Sequence, residues 1–91
     1  MLEFKDNDQG FIAWRDSHPD GFIVNAQRRP RADYLMLHRA TCPHLRWQNK
    51  AVNWTKDYVK FCSTDVDELI GWGARNVAGF RGLQPCSTCR P

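Results

Sequence analysis

The alternation of apolar and polar residues near the amino end predicts a first helix. Asn7 or Asp8 can cap this helix, and proline and glycine at residues 17–21 end it. Its apolar contacts come from Phe11, Ile12 and Trp14.

The strongest helix signal lies at residues 63–79. Three residues can cap its amino end: Ser63, Thr64 and Asp65. Asp65 with Glu68 has the spacing of a capping box, and acidic residues suit the positive end of the helix dipole. The apolar positions follow one helical stripe: Val66, Leu69, Ile70, Ala74 and Val77. Gly71 and Gly73 weaken the helix interior, so the pattern leaves the length of this helix open.

Between the two helices the pattern predicts strands. Residues 21–26 and 31–38 are short β-branched and aromatic runs that can pair as a hairpin, with residues 27–31 as its loop. Residues 39–54 have no clean period and indicate a loop, and residues 55–62 form a third strand. In that strand, Tyr58 and Lys60 lie on one face and Val59 and Phe61 on the other. We therefore predict an α+β fold with two helices and a small antiparallel sheet of about three strands.

The composition fits one small globular domain over residues 1–91. With 42% hydrophobic and 25% charged residues, the chain differs from disordered proteins. A domain of this size buries little apolar surface, so a metal or a disulfide is expected to stabilise it. There is no apolar run of membrane length and the amino end has no features of a signal peptide, so we expect no membrane contact and a cytoplasmic, reducing compartment. The domain could also belong to a larger protein.

Two short-spaced pairs of residues have the pattern of a zinc site. His38 and Cys42 form the first pair, and Cys86 and Cys89 form the second, far along the chain. Tetrahedral zinc sites are commonly assembled from such pairs, each bridging one turn. Three thiolates and one imidazole suit Zn²⁺ and leave no position for a catalytic water. In a reducing compartment, cysteines are more often metal ligands or free thiols than disulfides.

Alternatives to this ligand set remain open at the level of sequence. His44 competes with His38 for the fourth position. Cys62 ends the third predicted strand, where a lone cysteine is most often a small buried apolar residue. The pair Cys86 and Cys89 could instead be a redox motif or incidental thiols, although no helix follows it as in thioredoxin-like motifs.

Basic residues are concentrated between residues 26 and 50, against one acid, Asp33. They are Arg28, Arg29, Arg31, Arg39, Arg46 and Lys50. Arginine makes forked contacts to phosphate, and Trp47 in the same region could stack on a base. The set predicts a nucleic-acid-binding face, with DNA as the favoured partner and RNA or protein as alternatives.

The segment HRATC at residues 38–42 and the ending GLQPCSTCRP at residues 82–91 together resemble the zinc-binding domain of Ada-type DNA repair proteins. That resemblance implies a zinc scaffold and an affinity for the DNA backbone. In that family the first cysteine of the first pair accepts a methyl group from a DNA phosphotriester, and His38 occupies this position here. An imidazole is not the activated thiolate that the reaction needs, so methyl transfer is not expected.

The strings GFIVNAQRRPRADYLMLHRATC and KFCSTDVDELIGW also resemble small domains found beside restriction-type nucleases. No ordered Ser/His/Asp set, no paired carboxylates and no glycine-rich phosphate loop is present in the sequence. We therefore expect a binding module without enzymatic activity. The alternative is a zinc-stabilised protein-interaction or accessory module that does not bind nucleic acid.

Overall fold

A computed structural model describes residues 1–46 and 53–91 and has an α+β fold, as predicted. The helices are α1 (Asp8–Ser17) and α2 (Val66–Asn76), with a 3-10 turn at Pro43–Leu45. The strands are β1 (Leu2–Phe4), β2 (Phe22–Arg31), β3 (Tyr34–Arg39), β4 (Tyr58–Ser63) and β5 (Gln84–Pro85). None of the described helices is both long enough and apolar enough to cross a bilayer.

The sheet has five strands in the order β1-β4-β2-β3-β5, so the prediction of about three strands is corrected. Neighbouring strands are antiparallel except β3 and β5, which are parallel. The three predicted strands form the centre of the sheet. The two additional strands lie at the edges and hold three and two residues, too few for an alternating pattern to show in the sequence.

One face of the sheet packs against α2. Val59 and Phe61 of β4 lie on this face, as the alternation predicted, and the ring of Phe61 lies 4.0 Å from that of Trp72. The buried set around them is Val24, Ala26, Leu35, Leu37, Leu69 and Val77. The buried part of this face is apolar except for Ser63 at the end of β4, so it serves as the main core.

The opposite face packs against α1 and mixes apolar and polar residues. Phe11 and Trp14 of α1 cover Ile23 and Cys62 of the sheet. The helix begins as predicted, because the Asn7 side chain accepts a hydrogen bond of 2.9 Å from the amide of Gly10.

The predicted hairpin loop at residues 27–31 is wrong, because β2 continues to Arg31 and the turn falls at residues 32–33. Arg28, Arg29 and Arg31 therefore lie on a strand. The strand is paired with β4 as far as Gln27, which lies opposite Tyr58, and its last residue, Arg31, pairs with Tyr34 of β3. Its pairing with β3 is interrupted between Ala26 and Arg31, and this interruption accommodates Pro30, which has no amide to donate.

Helix α2 differs in two details from the predicted one. Asp65 caps it as expected and accepts a hydrogen bond from the amide of Asp67, but Glu68 does not complete a capping box. The Glu68 carboxylate instead accepts a hydrogen bond from Ser63 and pairs with the amino terminus. Ser63 at the end of β4 and the amino terminus before β1 thus both meet Glu68.

The buried stripe of α2 also excludes two predicted members, Ile70 and Ala74, which are exposed. Trp72, which was outside the predicted stripe, is buried in their place. The helix turns this way because the large indole ring buries more apolar surface against the sheet than the side chains of Ile70 and Ala74 would.

Two adjacent substitutions on α2 test this orientation. Leu69 is 0% exposed and Ile70 is 42% exposed. We expect Leu69→Ala to lower the free energy of unfolding by about 2–5 kcal/mol, because it leaves a cavity in the core. Ile70→Ala is the matched control and should cost less than about 1 kcal/mol. Urea denaturation of both variants measures the difference, and equal losses would contradict the orientation of the helix.

Candidate metal centre

Four potential metal ligands meet at the edge of the sheet formed by β3 and β5. They are His38, Cys42, Cys86 and Cys89, and their ligand atoms all lie within 4.8 Å of one another. These are the four residues proposed from sequence spacing. Three of the four residues are buried, and Cys89 is half-buried. The cluster can therefore hold one metal ion largely shielded from solvent.

The end of β3 and the turn after it position the first pair. Leu37 lies in the apolar core against α2, so its neighbour His38 points to the other face of the sheet. The amide of Cys42 donates to the carbonyl of Arg39 at 3.0 Å, and the amide of Leu45 donates to the carbonyl of Cys42 at 3.0 Å. These two successive turns fold the chain back, which brings Cys42 beside His38.

Backbone pairing positions the second pair. Pro85 of β5 lies opposite Leu37 of β3, and the amide of Cys86 donates to the carbonyl of Leu37 at 2.9 Å. The amide of Arg90 donates to the carbonyl of Cys86 at 3.0 Å, which closes a turn around Cys89. The tail therefore reaches the site as a short strand followed by a tight turn.

Arg39 ties the tail to the end of β3. Its amide donates to the sulfur of Cys89 at 3.2 Å, and its guanidinium donates to the carbonyls of Cys89 at 3.2 Å and Arg90 at 3.1 Å. An amide that donates to a cysteine sulfur orients that sulfur, as outer hydrogen bonds do around metal ligands. Arg39 was predicted as a nucleic-acid contact, and sequence reasoning missed this role because nothing in the sequence indicates which carbonyls an arginine will reach.

The protonation states of the cluster suit metal binding. Burial lowers the pKa of His38 to about 4, and His44 and Lys60 act in the same direction, so the imidazole is neutral at neutral pH. Its Nδ1 is buried and has no hydrogen-bond partner among the described residues. A bound metal ion, or a group close to it, would give this nitrogen a partner. A neutral imidazole with a free lone pair is the form that binds a cation.

The thiols differ from one another. Burial raises the pKa of Cys42 to about 12. Burial also acts to raise the pKa of Cys86, but hydrogen bonds from the amides of Cys89 and Thr88 outweigh it and lower that pKa to about 7. Cys86 is thus more readily deprotonated than Cys42, which needs the charge of a bound cation to lose its proton. The donor set could hold a transition metal and is one that zinc prefers.

His44 and Cys62, the two alternative ligands, lie outside the four-residue cluster. The Nδ1 of His44 is 3.9 Å from the sulfur of Cys86, and its Nε2 is 3.4 Å from the hydroxyl of Thr88. His44 therefore contacts a ligand from outside. Cys62 is fully buried in the α1 core on β4, and burial raises its pKa to about 12, so it is a small apolar residue there.

Two other arginines of the predicted basic face make contacts within the fold. The guanidinium of Arg28 donates to both carboxylate oxygens of Asp6 at 2.9 Å. Arg46 donates to the carbonyl of Ala40 at 3.1 Å. Like Arg39, these arginines donate hydrogen bonds to groups of this chain. Fewer arginines are therefore available to a partner than the sequence indicates.

Arg29 and Arg31 are exposed near the end of β2, and Arg31 lies 3.7 Å from the carboxylate of Asp33. Trp47 and Lys50 were also predicted to contact nucleic acid, and both lie outside the described residues. A contact of any of these residues with nucleic acid stays a prediction.

Comparisons of this chain with protein-family models, with curated proteins and with solved structures give no match.

The ligand set can be tested by metal content. Zinc-loaded protein should contain one ion per chain. The zinc content of Cys42→Ser, Cys86→Ser and His38→Ala should fall well below one ion per chain, because a site with three ligands holds the ion weakly. Elemental analysis after gel filtration measures the ratio. Cys62→Ala and His44→Ala are the matched controls and should keep one ion. A His44→Ala variant that loses the metal while His38→Ala retains it would contradict the assignment.

Proposed function

We propose that this protein is a binding module without enzymatic activity whose fold depends on one structural zinc ion. The observation that supports it best is the convergence of His38, Cys42, Cys86 and Cys89 within 4.8 Å. Four protein ligands leave a tetrahedral ion no open position, so the ion would stabilise the fold rather than activate water. It would join the end of β3 to the tail and thereby hold the surface around both in place.

We infer that the partner is nucleic acid, with double-stranded DNA as the first candidate. The concentration of basic charge between residues 26 and 50 supports this, as does the exposure of Arg29 and Arg31 on one strand end. The resemblance to the Ada-type zinc domain points to the DNA backbone as the contacted group. His38 in place of a cysteine removes the methyl acceptor of that family, so the proposed role is binding alone.

One observation favours a second candidate, a zinc-stabilised protein-interaction or accessory module. Arg28, Arg39 and Arg46 are each engaged with groups of this chain. A guanidinium that already donates to a carboxylate or to carbonyls gains less from a phosphate. A module with few available cations would bind nucleic acid weakly, and a protein partner would then explain its surface better.

The salt dependence of DNA binding distinguishes the nucleic-acid-binding module from the protein-interaction module. Two phosphate contacts from Arg29 and Arg31 predict a slope of log K against log salt of about −2, whereas all six predicted basic residues would give about −5. The double variant Arg29→Ala with Arg31→Ala should remove most of the affinity and of the slope. The control Lys5→Ala with Arg75→Ala lowers the net charge equally at exposed positions elsewhere and should bind nearly as well as the unmodified protein.

Fluorescence anisotropy with labelled double-stranded DNA, single-stranded DNA and RNA measures these affinities over a range of salt concentrations. Tighter binding of duplex DNA supports the first candidate. Absence of salt-dependent binding to all three nucleic acids, by protein that contains its zinc, would contradict it and favour the protein-interaction module.

A further inference from the structure

A pocket of about 340 Å³ lies on the α1 face of the sheet, directly beside the candidate metal centre. Its floor is formed by Asn25, Lys60 and Tyr34, from three neighbouring strands, and His38 and Cys86 line the side next to the metal ligands. The volume falls within the range of small-molecule sites, about 300–1,000 Å³. Neither the helices nor the metal centre requires polar groups at this floor.

We propose that this pocket binds a small molecule that carries an oxyanion, either a carboxylate or a phosphate, on a compact apolar group. The proposal does not depend on the partner of the basic residues. It rests on the arrangement of Lys60, Asn25 and Tyr34.

Lys60 supplies the charge. Its side chain extends from the centre of the sheet and the residue is only 3% exposed, which is rare for a lysine without a partner of opposite charge. The ammonium group donates to the side-chain oxygen of Asn25 at 2.7 Å and to the carbonyl of Trp54. An ammonium has three protons to donate, so one proton remains for a ligand.

No carboxylate of this chain neutralises Lys60. Among the described residues, Lys60 forms no ion pair, and the sequence of residues 47–52 contains no Asp or Glu. Asp8 influences Lys60 electrostatically, but its carboxylate accepts hydrogen bonds from the amides of Trp54 and Thr55 and from the Thr55 hydroxyl. A buried ammonium that has no carboxylate partner is costly, and a bound anion would relieve that cost.

Tyr34 supplies a second donor. The side-chain nitrogen of Asn25 donates to the Tyr34 hydroxyl oxygen at 2.9 Å. The hydroxyl therefore acts as the acceptor in that bond and keeps its own proton to donate. Asn25 thus connects Lys60 to Tyr34, and its oxygen and its nitrogen are both engaged. The positive charge of Lys60 and the two available donors on this floor favour an oxyanion over a cation or an amine.

One part of the remaining wall is apolar and is formed by Met36, Leu45 and the half-buried ring of Trp54. His44 and Ser87 line the part next to the metal ligands. An anion held at the floor would place its attached group against the apolar side chains. This combination of charged floor and apolar wall selects an organic carboxylate or a compact phosphate ester over a fully hydrated ion.

The test uses the zinc-loaded, ¹⁵N-labelled protein and follows amide shifts by NMR. The probes are benzoate, its neutral isostere benzamide, and inorganic phosphate. We expect benzoate or phosphate to cause saturable shifts at the amides around Asn25, Tyr34 and Lys60. Benzamide should bind at least about tenfold more weakly than benzoate, because it lacks the charge that Lys60 recognises. Equal binding of benzoate and benzamide, or no saturable shifts with either anion at millimolar concentration, would overturn the proposal.

Variants assign the effect to named groups. Lys60→Met removes the ammonium but keeps an unbranched side chain only one atom shorter, and it should weaken anion binding about tenfold or more. The control Lys56→Met, at an exposed position, should leave anion binding unchanged. Dispersion of the amide spectrum reports whether each variant is folded. If Lys60→Met is not folded, Tyr34→Phe decides, since it keeps the ring and removes only the hydroxyl donor. Unchanged anion affinity in a folded Lys60→Met protein, or in Tyr34→Phe when it is the deciding variant, would contradict the proposal.

Discussion

The contact between the end of β3 and the carboxyl-terminal tail governs how the rest of the chain is arranged. The tail pairs with β3 through a strand of only two residues, which is too short to hold an edge position by backbone hydrogen bonds alone. The cluster of His38, Cys42, Cys86 and Cys89 lies at this point. An ion bound there would close the loop of residues 43–85, which contains β4 and α2. Closing a long loop restricts the unfolded chain, so one ion at the edge could stabilise the whole sheet.

The two faces of the sheet differ in the side chains they carry and in what those side chains contribute. The face toward α2 is packed with apolar side chains around Phe61 and Trp72 and supplies most of the core. The face toward α1 carries the candidate metal ligands, the buried Lys60 and the pocket beside them. Because side chains alternate along a strand, the same strands present apolar side chains to the core on one face and polar side chains on the other. Stability comes mainly from one face, and chemical specificity can be placed on the other.

The sequence allowed prediction of the features that follow from local pattern. The paired spacing of the four ligands, the caps at Asn7 and Asp65 and the alternation along β4 all depend on near neighbours in the chain, and the structure has each of them. The choice of His38 over His44 was also made from spacing alone. Such features are predictable because one or two turns of backbone determine them.

Features that depend on distant parts of the chain could not be predicted. Beyond Ala26, β2 is paired with the distant β4 at Gln27, and the burial of Trp72 in place of Ile70 is set by the sheet beneath the helix. The contacts of Arg28 and Arg39 join residues far apart in sequence. A cluster of arginines in sequence therefore indicates net charge but does not indicate which side chains remain available to a partner.

Amide hydrogen exchange tests most directly whether a metal holds the tail to β3. The amide of Cys86 donates to the carbonyl of Leu37 across this contact, the amide of Arg90 donates to the carbonyl of Cys86 within the tail, and Val24 in the main core gives a reference. With zinc bound, the amides of Cys86 and Arg90 should be protected from exchange. On addition of a chelator they should lose that protection before or together with the core amide. If both tail amides keep full protection in metal-free protein, the metal does not hold the tail, and the account is contradicted.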